Sequence, residues 1–203
     1  MKIFCVGRNY IEHAKELGNE IPEEPVIFMK PKSALLQSLT PFYYPEFSNE
    51  LHYEAEIVLR VCKNGRYIQE RNAAKYFNAI SIGIDFTARD IQNELKKKGL
   101  PWEKAKAWDN SAFVADWIPT TPDVLKNPIV FSLKHNGQTV QQGNTQNLIF
   151  SFDVLIAHIS NYFSLNIGDL IFTGTPAGVG ECVVGDVLEG YVAEKKMFEL
   201  EIK

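Results

Sequence analysis

Leu51-His-Tyr-Glu-Ala-Glu-Ile-Val-Leu-Arg-Val61 is the stretch from which the fold is read outward. Leu51, Tyr53, Ala55, Ile57, Leu59 and Val61 alternate with a mostly polar set, the signature of a strand with one face in a core. Residues 79–86 repeat the pattern. Ile80, Ile82, Ile84 and Phe86 share one face, and Ala79, Ser81, Gly83 and Asp85 share the other. Further strands are predicted at 3–6, 26–30 and 169–173, and at the chain end, where Phe198, Leu200 and Ile202 alternate with Glu199, Glu201 and Lys203. Asn136-Gly137 between 128–133 and 138–142 marks a hairpin, because both residues accept positive φ.

Three helices are predicted. Asn9 caps one over 10–17, with Glu12 as reciprocal capping partner and Gly18 as the stop. Thr87 caps a second over 88–98, with Ala88, Ile91, Gln92 and Leu95 on one stripe. Ser151 caps a third, carrying Phe152, Leu155, Ile156, Ile159 and Phe163 on one side. Gly185-Asp186 and Gly190 read as turns. Many short strands without regular β-α alternation predict an α+β protein dominated by antiparallel or mixed sheet, not a Rossmann fold or a TIM barrel.

The chain has 203 residues, enough for one domain with its own core. Its 21 basic and 25 acidic residues leave a net charge of −4, so nucleic acid is not an expected partner. The run Lys96-Lys-Lys98 suits the negative end of a helix. Three scattered cysteines predict neither a disulfide framework nor a zinc ribbon. The opening apolar run is too short for a signal peptide, and no run approaches 18 apolar residues. The expected location is the cytoplasm, with no membrane partner.

Glu54 and Glu56, two apart on a strand, point the same way, which also suits a solvated outer face. Asp85 ends the second strand beside small residues that leave room for a ligand. Three carboxylates without cysteine or paired histidine would favour a hard cation, Mg²⁺ or Mn²⁺, with Ca²⁺ as a further fit, over Zn²⁺. His13 and Glu16 share a helix face, where a carboxylate can orient an imidazole base; a surface pair has the same spacing. His52 shares the strand face of Glu54 and Glu56, whereas His135 and His158 read as core-edge or surface residues. Arg8, Lys30, Arg89 and Lys106 each stand among apolar or small residues, suiting either an anionic ligand or a snorkelling side chain. Thr173–180 is glycine-rich and follows a strand, but it has neither P-loop nor dinucleotide spacing.

In order along the chain, Cys5-Val-Gly-Arg-Asn-Tyr10 with His13 and Glu16, Phe28-Met-Lys-Pro31, His52-Tyr-Glu-Ala-Glu56, Asp85-Phe-Thr-Ala-Arg-Asp-Ile-Gln92, Lys97-Lys-Gly-Leu-Pro-Trp-Glu-Lys-Ala-Lys106, Asn136-Gly137 and Gly168-Asp-Leu-Ile-Phe-Thr-Gly-Thr-Pro-Ala-Gly-Val-Gly180 resemble the fumarylacetoacetate hydrolase family, in its short acylpyruvase and oxaloacetate decarboxylase-like branch. The resemblance implies a β-roll, or barrel-like sandwich, with a few short helices. It implies one catalytic domain over 1–203, with 1–45 as an N-terminal catalytic segment able to close over the site and no extra N-terminal domain. The metal ligands would be Glu54, Glu56 and Asp85, holding Mg²⁺ or Mn²⁺. His13 and Glu16 match the water-activating pair, Lys106 the lysine at metal and substrate, and Arg8, Lys30, Arg89, Gln92 and Thr175 the substrate contacts. The implied activity is cleavage of C–C bonds in acylpyruvates or oxaloacetate through a metal-stabilised enolate. The alternative is isomerisation, decarboxylation or tautomerisation of hydroxymuconate-type or other 2-oxo diacids. A homodimer acting on a small 2-oxo acid is the implied assembly.

Overall fold

The computed structural model describes all residues except 17, 19, 38–39 and 122–126. Elements are numbered along the chain. The 51–61 stretch is extended throughout but changes sheets at Glu54. Its first part, β3 (Leu51–Tyr53), lies between β12 (Gly180–Glu181) and β6 (Thr87–Ala88) in a small three-stranded sheet. Its second part, β4 (Ala55–Val61), lies inside a seven-stranded sheet. The order there is β2 (Val26–Lys30), β1 (Ile3–Gly7), β11 (Leu170–Phe172), β4, β5 (Phe77–Asp85) and β7 (Ala112–Val114), with β8 (Ile118–Pro119) also pairing on β5. β1 and β11 run parallel; the other pairs in this sheet are antiparallel. A four-stranded antiparallel sheet, β10 (Gln138–Asn144), β9 (Val130–His135), β13 (Val187–Val192) and β14 (Lys195–Glu201), completes the mixed β architecture.

Alternation decides which face is buried. Leu51, Tyr53, Ala55, Ile57, Leu59 and Val61 all enter the main core, despite the change of sheet. Ile80, Ile82, Ile84 and Phe86 join them there, and Phe131, Leu133, Leu188, Phe198 and Leu200 close it from the four-stranded sheet. Each such fully buried side chain contributes about 1.5–3 kcal/mol. The opposite face of the seven-stranded sheet carries a smaller cluster of Ile3, Cys5, Val58, Ala112, Leu170 and Phe172. The three cysteines are free.

Among the described residues, four α-helices edge the sheets: α1 (Ile11–Glu16), α2 (Arg89–Lys98), α3 (Glu103–Lys106) and α4 (Phe152–Tyr162). Ser151 caps α4 through Val154 N–H at 3.4 Å, as its sequence predicts. The hairpin forms at Asn136-Gly137, with φ of 50° and 79°. Gly99 ends α2 at φ 64°.

Several local expectations are corrected. Asn9 does not cap α1; its amide donates to Phe150 O and Thr173 O and accepts from Phe150 N–H, tying the first segment to two distant loops. Position 17 of the expected first helix lies outside the described residues. Thr87 does not cap α2 either, for its hydroxyl donates to Asp85 O at 3.4 Å and the residue belongs to β6. Of the stripe expected on the second helix, Ala88 and Gln92 are buried, whereas Ile91 and Leu95 are half-exposed and Arg89 is buried in their stead, because the polar face of α2 meets the rest of the protein. Gly190 is no turn. It lies inside β13, where a Cβ would stand 2.0 Å from Phe198.

Gly83 has a similar role under the central sheet. A Cβ there would meet Phe113 O at 2.6 Å, Val58 Cγ2 at 2.8 Å and Phe172 Cε1 at 2.9 Å. A strand carbonyl cannot yield as a flexible side chain can. Gly83→Ala is therefore expected to cost about 1–3 kcal/mol, as an overpacked core does. Urea unfolding should show a lower midpoint at unchanged m-value.

Candidate functional site

Strand register gathers the three carboxylates. Asp85 is the last residue of β5, Glu56 pairs with Gly83 and Ala55 with Ile84. Asp85 N–H donates to Glu54 O at 2.8 Å, across the point where the chain changes sheets. One carboxylate oxygen from each of Glu54, Glu56 and Asp85 lies within 4.8 Å of the others, and all three residues are buried. Carboxylates so placed repel one another in a medium that screens poorly.

Three cations answer that repulsion. Lys106, from α3, donates to Glu54 Oε2 at 2.7 Å and Asp85 Oδ2 at 2.8 Å. Arg89 Nη2 donates to Glu54 Oε1 at 2.5 Å. The Lys30 ammonium stands 2.7 Å from Asp85 Oδ1. Glu56 instead accepts Gly174 N–H at 2.6 Å and has no ion-pair partner among the described residues. The consequences diverge. Burial alone would raise Glu54, but Lys106 and Arg89 hold it well below the usual carboxylate range. Burial and the neighbouring Asp85 push Glu56 well above that range. Burial pulls Lys106 down, yet Asp85 and Glu54 pull it up further, so it stays charged.

His13, on α1, is buried, with Nδ1 3.3 Å from Glu16 Oε2. Burial lowers its pKa more than Glu54 and Glu16 raise it. Glu16 also accepts Gly178 N–H at 3.0 Å, which joins α1 to the glycine-rich loop. That loop comes close because Gly174 (φ 105°) packs on Asn9, where a Cβ would lie 2.6 Å from the Asn9 Cβ.

Of the residues singled out in the sequence, Arg8, His13, Glu54, Glu56, Asp85, Arg89, Gln92, Lys106 and Thr175 line one cleft. Lys30 does not. Its side chain is wholly buried behind Asp85, where the ammonium donates to Phe86 O, Lys106 O, Ser111 O and Ser111 Oγ. It lies beneath the residues that line the cleft and braces Asp85 there. His52 meets neither carboxylate of its strand; its Nε2 lies 3.0 Å from Glu50 Oε1 and its Nδ1 accepts Arg89 Nε–H at 3.3 Å. His135 pairs with Asp186 at 2.8 Å, away from the cleft.

Three further residues matter that the sequence reading did not single out. Lys96 and Trp102 line the cleft. Gln141, from β10, is buried and bridges two walls. Its Oε1 accepts Ala55 N–H at 2.9 Å, and its Nε2 donates to Thr175 Oγ1 at 2.8 Å and Pro176 O at 2.9 Å. The peptide between Glu54 and Glu56 is thereby fixed to the loop carrying Thr175. The only signal was a glutamine inside a strand, which is unremarkable by itself.

The chain has relatives of known family. The family model of the fumarylacetoacetate (FAA) hydrolase C-terminal region matches residues 2–203. The chain belongs to this family. It is 40% identical over 189 residues to the oxaloacetate tautomerase YcgM of Escherichia coli (strain K12), covering 92% of this chain and 86% of that protein. It is 42% identical over 189 residues to a mitochondrial oxaloacetate decarboxylase of Dictyostelium discoideum, covering 93% and 87%. The crystal structure of fumarylpyruvate hydrolase from Pseudomonas aeruginosa, in complex with Mn²⁺ and pyruvate, superposes with a TM-score of 0.93 at 32% identity, covering 100% of this chain and 89% of that one.

Within this family frame, the donor set suits a divalent cation. All three candidate ligands are hard oxygens, and Glu56 has no cation of its own. Removing the bridge that aligns two of these ligands has a measurable cost. Gln141→Leu leaves Ala55 N–H buried and unpaired, so about 1–3 kcal/mol of stability should be lost in urea unfolding, as for a buried donor left without a partner.

Proposed function

We propose that the chain is a divalent-cation-dependent enzyme of small 2-oxo acids, cleaving C–C bonds of acylpyruvates or oxaloacetate, with Mg²⁺ as its ion and Mn²⁺ as a substitute. The reading rests on one juxtaposition: the buried Glu54, Glu56 and Asp85 open on the same cleft as His13 of the His13–Glu16 pair. The Mn²⁺ and pyruvate in the related fumarylpyruvate hydrolase support it. When bound, the cation supplies a Lewis acid that polarises the 2-oxo acid and stabilises enolate charge.

The chain's own groups do the rest. Neutral His13, oriented by Glu16, takes a proton from water at its free ring nitrogen. The hydroxide adds to the distal acyl carbonyl. As the C–C bond breaks, its electron pair passes to the pyruvate enolate, which regains a proton at C3. Lys106 and Arg89 offset the anionic charge, while Gln92 and Thr175 orient the substrate. Oxaloacetate decarboxylation needs no attacking water, because the pair of the broken bond comes from the leaving carboxylate. A second reading, tautomerisation of oxaloacetate, is favoured by the name of the Escherichia coli relative and needs only a proton moved between C3 and oxygen.

His13→Ala should lower acylpyruvate hydrolysis by roughly 10²–10⁴-fold, the worth of a general base, and decarboxylation by less. Asp85→Asn should abolish both. A wild-type hydrolysis rate in His13→Ala would remove the pair from the mechanism. A variant that hydrolyses poorly but still tautomerises oxaloacetate at full rate would place the tautomerase outside the reach of His13.

The direction of the His13 shift fixes the pH dependence. A histidine whose folded pKa is lowered is protonated at lower pH than in the unfolded chain. The acid limb of kcat/KM should therefore fall below pH 6.5, and the limb should vanish from what activity His13→Ala retains. The same sign means that protonating His13 costs folding stability as pH falls below 6.5.

We also propose a twofold homodimer in the cytoplasm. No described helix is long and apolar enough to cross a membrane. Leu35, Phe113, Val114, Trp117, Leu170 and Met197 line a groove beside the smaller apolar cluster, and a self-complementary contact there would cover it. Sedimentation at micromolar concentration should give twice the 23.0 kDa chain mass; a single 23.0 kDa species overturns the assignment.

A further inference from the structure

The glycine-rich loop carries two threonines, Thr173 and Thr175, and both are buried. Thr173 uses its hydroxyl inside the fold, donating to Ile57 O at 2.8 Å. Thr175 lines the cleft, and its Oγ1 accepts from Gln141 Nε2 at 2.8 Å. Among the described residues, nothing accepts the hydrogen of the Thr175 hydroxyl.

The Gln141 amide has one orientation. Ala55 N–H can only donate and Pro176 O can only accept, so Oε1 faces Ala55 at 2.9 Å and Nε2 faces Pro176 at 2.9 Å. Both hydrogens of Nε2 are then in use, one on Pro176 O and one on Thr175 Oγ1. A hydroxyl that accepts from an amide N–H cannot turn its own hydrogen toward that amide, because two hydrogens would meet. Gln141 is buried, so bulk water does not compete for these bonds. Ala55 stands between Glu54 and Glu56. The side chain that holds the carboxylate-bearing strand thus also sets the sense of a hydrogen bond at the cleft wall.

We propose that Gln141 is a positioning residue that makes Thr175 an obligate donor to the cleft, so that a negatively charged ligand oxygen accepts the hydroxyl hydrogen. The inference rests on the reading of the cleft as a 2-oxo acid site and goes further by assigning the residue that fixes the polarity of one substrate contact. Gln141 itself does not touch the ligand. Without it, Pro176 O loses its donor and is free to take the Thr175 hydrogen, which then turns away from the cleft.

A double-mutant cycle on pyruvate affinity tests it, by calorimetry on the Mg²⁺-loaded protein, with Mg²⁺ affinity measured separately. Thr175→Val should weaken pyruvate roughly 10- to 100-fold, as for a lost hydrogen bond to a charged group, and Thr175→Ser should retain most of the affinity. Gln141→Met should weaken pyruvate roughly 3- to 10-fold with threonine at 175, as for one neutral hydrogen bond, and should have no further effect in the Thr175→Val background. A purely structural role, acting through Ala55 on Glu54 and Glu56, would lower Mg²⁺ affinity and weaken pyruvate equally in both backgrounds; that result overturns the proposal. So does unaltered pyruvate affinity in Gln141→Met or in Thr175→Val. The Thr175 variants leave Ala55 its acceptor, so full affinity in Thr175→Val overturns the proposal even where Gln141→Met does not fold. A wild type that binds no pyruvate overturns it together with the 2-oxo acid reading. Turnover separates the two. Coupling between 141 and 175 in a protein inert toward acetylpyruvate and oxaloacetate removes the proposed reaction and keeps the positioning. An active enzyme without that coupling does the reverse.

Discussion

Three carboxylates held within 4.8 Å of one another, out of reach of bulk water, are the constraint around which the rest is arranged. Left alone, such a group would take up protons or drive its strands apart. Here the sheet makes separation expensive, because Glu56 and Asp85 lie on paired strands whose other faces fill the main core. The repulsion is met from outside those strands. Lys30 comes from β2, Arg89 from α2, Lys106 from α3, and the Gly174 N–H from the glycine-rich loop. Buried ion pairs of this kind add little net stability over apolar packing, yet removing one partner strands the other. Their value is in fixing geometry.

That arrangement divides the labour. The anions sit on the paired strands β4 and β5 and on Glu54, just before β4. The His13–Glu16 pair sits on α1, a short helix whose Glu16 is tied to the glycine-rich loop by Gly178 N–H. Asn9, just before α1, binds Phe150 and Thr173, so the helix is anchored at its start as well. A site with fixed anions and a separately anchored base can keep one donor set while the chemistry above it varies. Relatives named as tautomerase, decarboxylase and hydrolase fit that separation.

The strands were legible where burial alone governs the side chains. The alternation through 51–61 and 79–86 survives because both faces are set by local geometry and the core. The change of sheet at Glu54 was not legible, since it depends on β6, β12 and Gln141, all remote in sequence. Asn9 and Thr87 failed as helix caps for a related reason: a short polar side chain takes whichever backbone group tertiary structure offers. Lys30 was expected as a substrate contact but lies behind Asp85, because adjacency to apolar residues marks burial without saying which side of the carboxylate the cation occupies. The polar inward face of α2 reverses the usual amphipathic reading. A helix beside a charged cleft buries the residues that serve the cleft, and Ile91 and Leu95 are left half-exposed.

That reversal also explains why the rim of the cleft is chemically more informative than its floor. On the floor, every cation has a carboxylate partner, Lys30 at Asp85, Arg89 at Glu54 and Lys106 at both. Arg8 and Lys96, on the rim, have no ion-pair partner among the described residues. Arg8 even adopts φ 59°, a conformation that costs a non-glycine residue energy. Cations that face a cleft without a carboxylate partner favour an anion as its occupant.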